Sequence, residues 1–198
     1  GAVPATFIAV ANRIEPVAEA LCRRTNGFGK CDIIIAIDAR PDLPPNAYQT
    51  LDERGRPYVV FTRKLVAMAR NEDEIAFVLG HEAGHHIAGH IPKTADQAIT
   101  GAILAGVIAQ ASGMDSEEVR KAQNVGANLG ARQFSKEYEL QADALGAEIA
   151  LRAGFDPIRG AAFFDRLPDP GNRFLGTHPP NARRKATVAE TVARLTAG

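Results

Sequence analysis

Residues 71–90 read NEDEIAFVLGHEAGHHIAGH, and this stretch decides how the chain folds and what it can bind. Acidic residues in its first turn, where the helix dipole favours negative charge, and the apolar residues that follow predict a long helix that stops before Pro92. His81 and His85 lie four positions apart, so they share one face of that helix. Two imidazoles on one helix face can bind a single metal ion.

Glu82 adds a third chemical group at a fixed position in the same helix. It follows His81 directly and points sideways, toward the coordination position that the two histidines leave open. A carboxylate there can take a proton from a zinc-bound water, whose pKa the metal lowers to about 7. The motif therefore predicts a zinc-dependent peptidase. A solvent-exposed helix with clustered histidines and a structural zinc site are the alternatives.

The other histidines near the motif do not complete a metal site. A longer zinc motif adds a glycine three residues and a histidine six residues after the second histidine, whereas this chain has Ala88 and Ile91 there. His90 is five residues beyond His85 and lies off the ligand face of the predicted helix, so we interpret it as structural. His86 points away from His85, and we expect it to be packed or exposed.

The segment EYELQAD at residues 137–143 offers a better third ligand. Glu139 and Asp143 lie four positions apart and share one helix face. A glutamate on a second helix can complete the site, and a carboxylate one turn further on can orient a ligating histidine. We therefore predict one Zn²⁺ per chain, with Glu139 as a ligand and Asp143 in support. An exposed acidic helix turn is the alternative.

The whole chain predicts an α+β fold, mostly helical, with a small sheet that contains an antiparallel hairpin. Strands come early and helices late. Asp115 followed by Glu118 is a capping box, which predicts one long helix running towards Arg152. The other expected elements are an amphipathic helix at 5–24, strands at 31–38, 46–51 and 57–62, a hairpin turn at Gly55, a short helix at 64–69 and a final helix after Asn181.

Composition limits the class of protein. A chain of 198 residues, 45% hydrophobic and without repeats, favours a single domain over residues 1–198. The 23 basic and 23 acidic side chains cancel, which argues against a nucleic-acid partner. Residues 100–114 carry no charge but are too short to span a bilayer, which needs about 20 apolar residues. The N-terminus holds no intact signal peptide, although a processed chain would look the same.

Two cysteines, Cys22 and Cys31, flank a short polar loop. Either they form a disulfide that joins the end of a helix to the start of a strand, or they are reduced thiols in a cytosolic protein. A metal role for this pair is disfavoured, because zinc thiolate sites use tighter spacing and more cysteines.

Three segments together resemble the HtpX-like and CAAX-prenyl-protease-like metallopeptidases, the gluzincins of peptidase family M48. They are HEAGH with NEDEIAFVLG before it, FSKEYELQADALG, and THPPNARR, and the resemblance covers residues 45–185. It implies a zincin-like fold with an active-site HExxH helix. It also implies zinc bound by His81, His85 and Glu139, with Glu82 as general base and Asp143 in support.

Within that family the chain is most similar to the soluble periplasmic or lipoprotein branch, because it lacks the transmembrane helices of the membrane members. That branch handles misfolded outer-membrane and envelope proteins. The resemblance therefore implies polypeptide substrates and a periplasmic or cell-envelope location, with peripheral or lipoprotein association with the membrane as an option.

The segment at residues 176–180, GTHPP, matches the His-Pro segment of the family. The resemblance gives His178 two alternative roles: a donor to the tetrahedral oxyanion, or a latch on the open zinc position. A plain loop histidine is the third alternative. Arg183 or Arg184 is expected to steady the substrate or the ligand carboxylates. Residues 95–133 are compatible with a mobile lid over the cleft and equally with ordinary packing.

These inferences predict an endopeptidase that hydrolyses peptide bonds of unfolded or misfolded proteins, with Glu82 activating the water. Substrate is expected to bind extended along an edge strand, which we place at residues 58–62. The main alternative is a peptide-binding, chaperone-like module that retains a zinc site with little or latent proteolysis. A zinc-stabilised scaffold would need a closed site of four ligands, which only His178 could complete.

Overall fold

The computed structural model describes residues 4–25, 29–93, 113–121, 134–166 and 179–197. Its sheet has three strands in the order β1-β3-β2. Strand β1 pairs with β3 in parallel and β2 pairs with β3 in antiparallel orientation. The strands are β1 at Ile34–Asp38, β2 at Ala47–Leu51 and β3 at Pro57–Thr62. The predicted hairpin is confirmed, with Gly55 at a positive φ of 78° in its turn.

Helices make up most of the described chain, and with the small mixed sheet they confirm the predicted α+β class. Those placed along their whole length are α1 at Ala5–Arg24, α2 at Arg63–Met68, α3 at Glu72–Ile87, α4 at Lys136–Arg152, α5 at Pro157–Gly160, a 3-10 helix at Ala161–Arg166 and α6 at Asn181–Thr196. Among the described residues, no helix combines the length and apolar character that crossing a membrane requires.

The prediction that residues 58–62 form the edge strand that binds substrate is wrong. Residues 58–62 belong to β3, which is bonded on both sides by β1 and β2, so its backbone groups are already paired. Strand β2 lies at an edge of the sheet instead. Sequence periodicity cannot assign the edge, because the order of strands depends on where the parallel strand β1 docks.

The predicted helix across residues 71–90 is shorter than expected. Asn71 caps its N-terminus by accepting a hydrogen bond from the N–H of Glu74, and an acidic first turn follows as predicted. The helix ends at Ile87 because Gly89 adopts a positive φ of 69°. The N–H of Gly89 donates a hydrogen bond to the carbonyl of His86. The chain then changes direction before helical backbone resumes at His90.

The single long helix predicted from Asp115 to Arg152 is also wrong. The capping box is real: the Asp115 carboxylate accepts from the N–H of Glu118, and the Glu118 carboxylate accepts from the N–H of Asp115. However, Ser135 begins a new helix, because its hydroxyl accepts a hydrogen bond from the N–H of Tyr138. Of residues 95–133, for which a lid and ordinary packing were the alternatives, only 113–121 fall within the described part of the chain, so both alternatives stay open.

The main core lies between α1, the sheet and α3. The rings of Phe7 on α1 and Phe61 on β3 are 5.3 Å apart, and both side chains are buried. The apolar residues that recur at helical spacing along α1 face this core, except Ile8, which is exposed. Cys22 and Cys31 form a disulfide that ties the end of α1 to the segment before β1, which decides between the two alternatives for these cysteines.

Candidate active site

Small residues let α3 and α4 pack with their backbones almost in contact. A Cβ atom added at Gly80 would lie 2.8 Å from the carbonyl oxygen of Gly146, and one added at Gly146 would lie 2.6 Å from the backbone nitrogen of His81. Side chains on the facing surfaces therefore reach across a short gap. This close approach brings Glu139 of α4 to the two histidines of α3.

His81, His85 and Glu139 converge as a buried group whose ligand atoms could hold a metal ion. The two Nε2 atoms of the histidines are 3.1 Å apart. One Glu139 oxygen lies 3.3 Å from Nε2 of His81, and the other lies 3.2 Å from Nε2 of His85. The three residues predicted as ligands therefore point at one place.

The spacing of these ligand atoms is compatible with one tetrahedral ion. Zinc bonds of about 2.0–2.1 Å to nitrogen and oxygen place neighbouring ligand atoms about 3.3 Å apart. The two histidine nitrogens are 3.1 Å apart, and each lies 3.2 or 3.3 Å from a different oxygen of Glu139, so both carboxylate oxygens face the ion position. Two imidazoles and one carboxylate also form a donor set that zinc accepts, with one position left for water or substrate. The residues present therefore fit the metal that the motif implies.

Asp143 lies directly behind His81. Its Oδ1 is 2.8 Å from Nδ1 of His81, so the carboxylate can accept that ring N–H and leave Nε2 free for a metal. Arg184 of α6 donates to both oxygens of Asp143 at 2.8 Å and to Glu139 at 3.3 Å. Of the two arginines that were expected to steady the substrate or the ligand carboxylates, Arg184 therefore contacts the carboxylates, whereas Arg183 is exposed.

The electrostatics of the group favour a positive charge between the ligands. Burial alone would lower the pKa of His81, but Glu139 and Asp143 raise that pKa to about 10. Burial lowers the pKa of His85 to about 4. Burial also opposes ionisation of Glu139, yet His81 and His85 hold its pKa well below the usual range. Without a metal, protonated His81 provides this positive charge. A bound cation would provide it at the same position.

Glu82 lies beside the group without joining it. Its carboxylate is 4.0 Å from Nε2 of His81, and the side chain is buried. Burial raises the pKa of Glu82 to about 8. A carboxylate whose pKa is close to neutral can both accept and return a proton, which is the property that a general base needs.

A cleft of about 630 Å³ opens over these residues. One wall is the edge of the sheet, residues 45–50, and His81, Glu82 and Glu139 face the cleft. The rest of the lining is mainly apolar, from Leu65, Phe77, Val78, Ile91, Phe134, Phe163 and Phe164.

The predictions for the three histidines outside the ligand pair have different outcomes. His86 is buried and bonds the carbonyl of Lys30 at 2.6 Å, so it is packed as one alternative predicted. His90 is no member of the metal group, as expected, but it bonds the ring of His85. The sequence signal for that contact was Gly89, which ends the helix and redirects the chain. His178 lies outside the described residues, so its two suggested roles and the alternative of a plain loop histidine all stay open.

An α+β fold that gathers two histidines from α3, a glutamate from α4 and the buried carboxyl group of Glu82 beside them has the arrangement of a metallopeptidase. The chain belongs to peptidase family M48, whose profile matches residues 9–192. This confirms the family resemblance stated from the sequence.

Curated relatives agree with this family. The chain is 30% identical over 136 residues to the mitochondrial metalloendopeptidase OMA1 of Arabidopsis thaliana, covering 67% of this chain and 27% of that protein. It is 30% identical over 139 residues to the beta-barrel assembly-enhancing protease of Escherichia coli (strain K12), covering 63% and 28%. It is 27% identical over 124 residues to the metalloprotease LoiP of the same organism, covering 60% and 49%. The chain therefore spans about a quarter to a half of the length of these relatives.

Proposed function

We propose that the chain is a zinc-dependent endopeptidase that hydrolyses peptide bonds of unfolded or misfolded proteins. The observation that carries the proposal is the triangle of His81, His85 and Glu139 with the carboxylate of Glu82 beside it. In this proposal residues 1–198 act as one zincin-like domain with α3 as its active-site helix. The metal would be held by the three triangle residues.

The chemistry of the proposed reaction divides between the metal and Glu82. A bound zinc supplies the positive charge that lowers the pKa of the attacking water and polarises the scissile carbonyl. Glu82 takes the proton from that water and passes it to the leaving amine. Asp143 keeps His81 in one orientation, and Arg184 donates hydrogen bonds to both buried carboxylates and offsets part of their charge.

Strand β2 gives the proposed enzyme a surface for extended peptides. The N–H of Thr62 bonds the carbonyl of Asn46, and the register pairs Tyr48 with Val60. Because bonded and non-bonded pairs alternate in an antiparallel ladder, the backbone groups of Ala47 and Gln49 face away from the sheet, along the cleft. A substrate that adds a strand there must be unfolded locally, which supports unfolded proteins as substrates.

A cell-envelope location extends the proposal. The disulfide between Cys22 and Cys31 is compatible with an oxidising compartment such as the periplasm. The similarity to a beta-barrel assembly-enhancing protease supports misfolded envelope proteins as the substrates. Peripheral or lipoprotein association with the membrane stays part of the same proposal.

Removal of the metal tests the proposed function. The full chain loaded with one zinc per molecule is expected to cut casein, an unfolded protein, and to spare a stably folded one. Treatment with 1,10-phenanthroline should abolish cleavage, and added zinc should restore it. A chain that holds one zinc and binds casein without cutting it would favour the peptide-binding, chaperone-like module instead.

The outward-facing backbone of β2 gives a sharper prediction about substrate binding. Gln49→Pro removes an N–H that the sheet does not use, and proline is tolerated at an edge strand when its missing N–H faces solvent. We expect kcat/KM for an extended peptide to fall about tenfold, the cost of one hydrogen bond. Gln49→Ala keeps the N–H and should retain activity. Equal losses in both variants would assign the effect to the side chain and contradict backbone pairing.

A further inference from the structure

His90 and Gln141 form a hydrogen-bonded relay behind His85, although neither belongs to the candidate metal group. Nδ1 of His90 lies 2.9 Å from Nδ1 of His85. Nε2 of His90 lies 2.8 Å from the side-chain oxygen of Gln141. The His90 side chain is fully buried. We propose that His90 is a positioning residue, which fixes the orientation and tautomer of His85 for metal binding.

The chemistry of the three side chains sets the direction of each hydrogen bond. The amide oxygen of Gln141 only accepts, so Nε2 of His90 carries the proton and donates. A neutral imidazole has one donor and one acceptor, so Nδ1 of His90 then accepts. The ring N–H of His85 must donate to it. Nε2 of His85 is left with a lone pair directed toward Glu139 and His81, as a metal ligand requires.

The backbone turn after α3 makes this contact possible. If the helix continued, His90 would lie off the face that carries His85. Gly89, with a φ of 69°, ends the helix and returns the chain toward α4. The ring of His90 then stacks on Tyr138 at a centroid distance of 4.1 Å, and His85 stacks on Phe134 at 4.0 Å. Aromatic neighbours therefore restrict the rotation of both imidazoles.

Helix α4 thus supports each histidine by a different route. Asp143 holds His81 with a buried carboxylate that Arg184 pairs. Gln141, two positions earlier in α4, holds His85 through His90 with neutral groups only. The relay therefore orients the second ligand without adding a further negative charge to a site that already contains Glu139, Asp143 and Glu82.

If His90 merely filled space, its removal would lower stability alone. If His90 positions His85, its removal also lowers zinc affinity. The inference rests on the proposed zinc site, so zinc affinity is measured by chelator competition on the folded chain, residues 1–198. His90→Ala is expected to raise the zinc Kd about 10- to 100-fold, the usual effect of losing an outer partner of a ligating histidine. His90→Asn should recover most of the affinity, because its side-chain oxygen can accept the same N–H.

His86→Ala is the matched control, since it removes a buried imidazole with one hydrogen bond from the same region of the chain. Its zinc Kd should stay within about threefold of the parent value. Nitrogen-15 NMR of zinc-loaded protein should find His90 protonated at Nε2 and unprotonated at Nδ1. A His90→Ala Kd no higher than that of His86→Ala, or a proton on Nδ1 of His90, would overturn the relay. A parent chain that binds no zinc would overturn the proposed function as well.

Discussion

Glu82→Gln is expected to lower kcat for peptide cleavage by about 10³-fold while zinc binding stays unchanged. The glutamine keeps the size of the side chain but cannot take a proton from water. The carboxylate it replaces lies 4.0 Å from Nε2 of His81 and outside the candidate ligand group, so its removal should leave the metal in place. Steady-state kinetics on a quenched peptide, with zinc content measured on the same sample, check both parts of this result.

Glu72→Gln provides the control for that experiment. Glu72 is an exposed acid in the first turn of the same helix, so its neutralisation changes the net charge equally without touching the site. Its activity should match that of the parent chain. If Glu82→Gln retains its zinc and more than a tenth of the parent kcat, another group must activate the water, and the role proposed for Glu82 is wrong.

Features set by local sequence were predictable. The pairing of His81 with His85, and of Glu139 with Asp143, follows from four-residue spacing on a helix, and both pairs lie where that spacing puts them. The first helix and the hairpin follow from apolar periodicity and turn residues in the same way. In each case the relevant contacts lie within a few residues of each other or repeat regularly along one element.

Several features set by tertiary contacts could not be predicted, although the approach of Glu139 to the two histidines was. The choice of Arg184 over Arg183 depends on which side of α6 meets α4, and the sequence near residue 183 does not contain that information. The sheet edge depends on where β1 docks. The contact between His90 and His85 depends on a turn at Gly89, since an uninterrupted helix would have separated the two rings. Each of these requires knowledge of a partner distant in sequence or of a break in an element.

Because α3 packs closely on α4, a side chain added between the two helices should strongly reduce activity. Gly146→Ala is expected to lower kcat/KM by at least about 10²-fold, because displacing a catalytic group by about 1 Å costs this much. The added Cβ would lie 2.6 and 2.9 Å from the N and Cα atoms of His81 and 3.1 Å from the carbonyl carbon of Gly80. All three are backbone atoms, so the helices must separate, and Glu139 moves away from the histidines.

Gly84→Ala separates this effect from helix propensity. Both substitutions replace glycine by alanine inside a helix, which by itself favours the folded state by about 1 kcal/mol. At Gly84 the nearest atoms are the Cβ of Leu145 at 3.1 Å and the carbonyl oxygen of Ala142 at 3.2 Å, a milder clash. We therefore expect Gly84→Ala to lose much less activity and zinc affinity than Gly146→Ala.

Urea unfolding and zinc titration of the two glycine variants complete the test. Overpacking at Gly146 should lower the free energy of unfolding by about 2 kcal/mol, and zinc affinity should fall with it, since the ligands come from both helices. Similar losses in the two variants would mean that the helices adjust equally at both contacts. Normal zinc affinity in Gly146→Ala would mean that the ligand triangle does not depend on the backbone contact between α3 and α4.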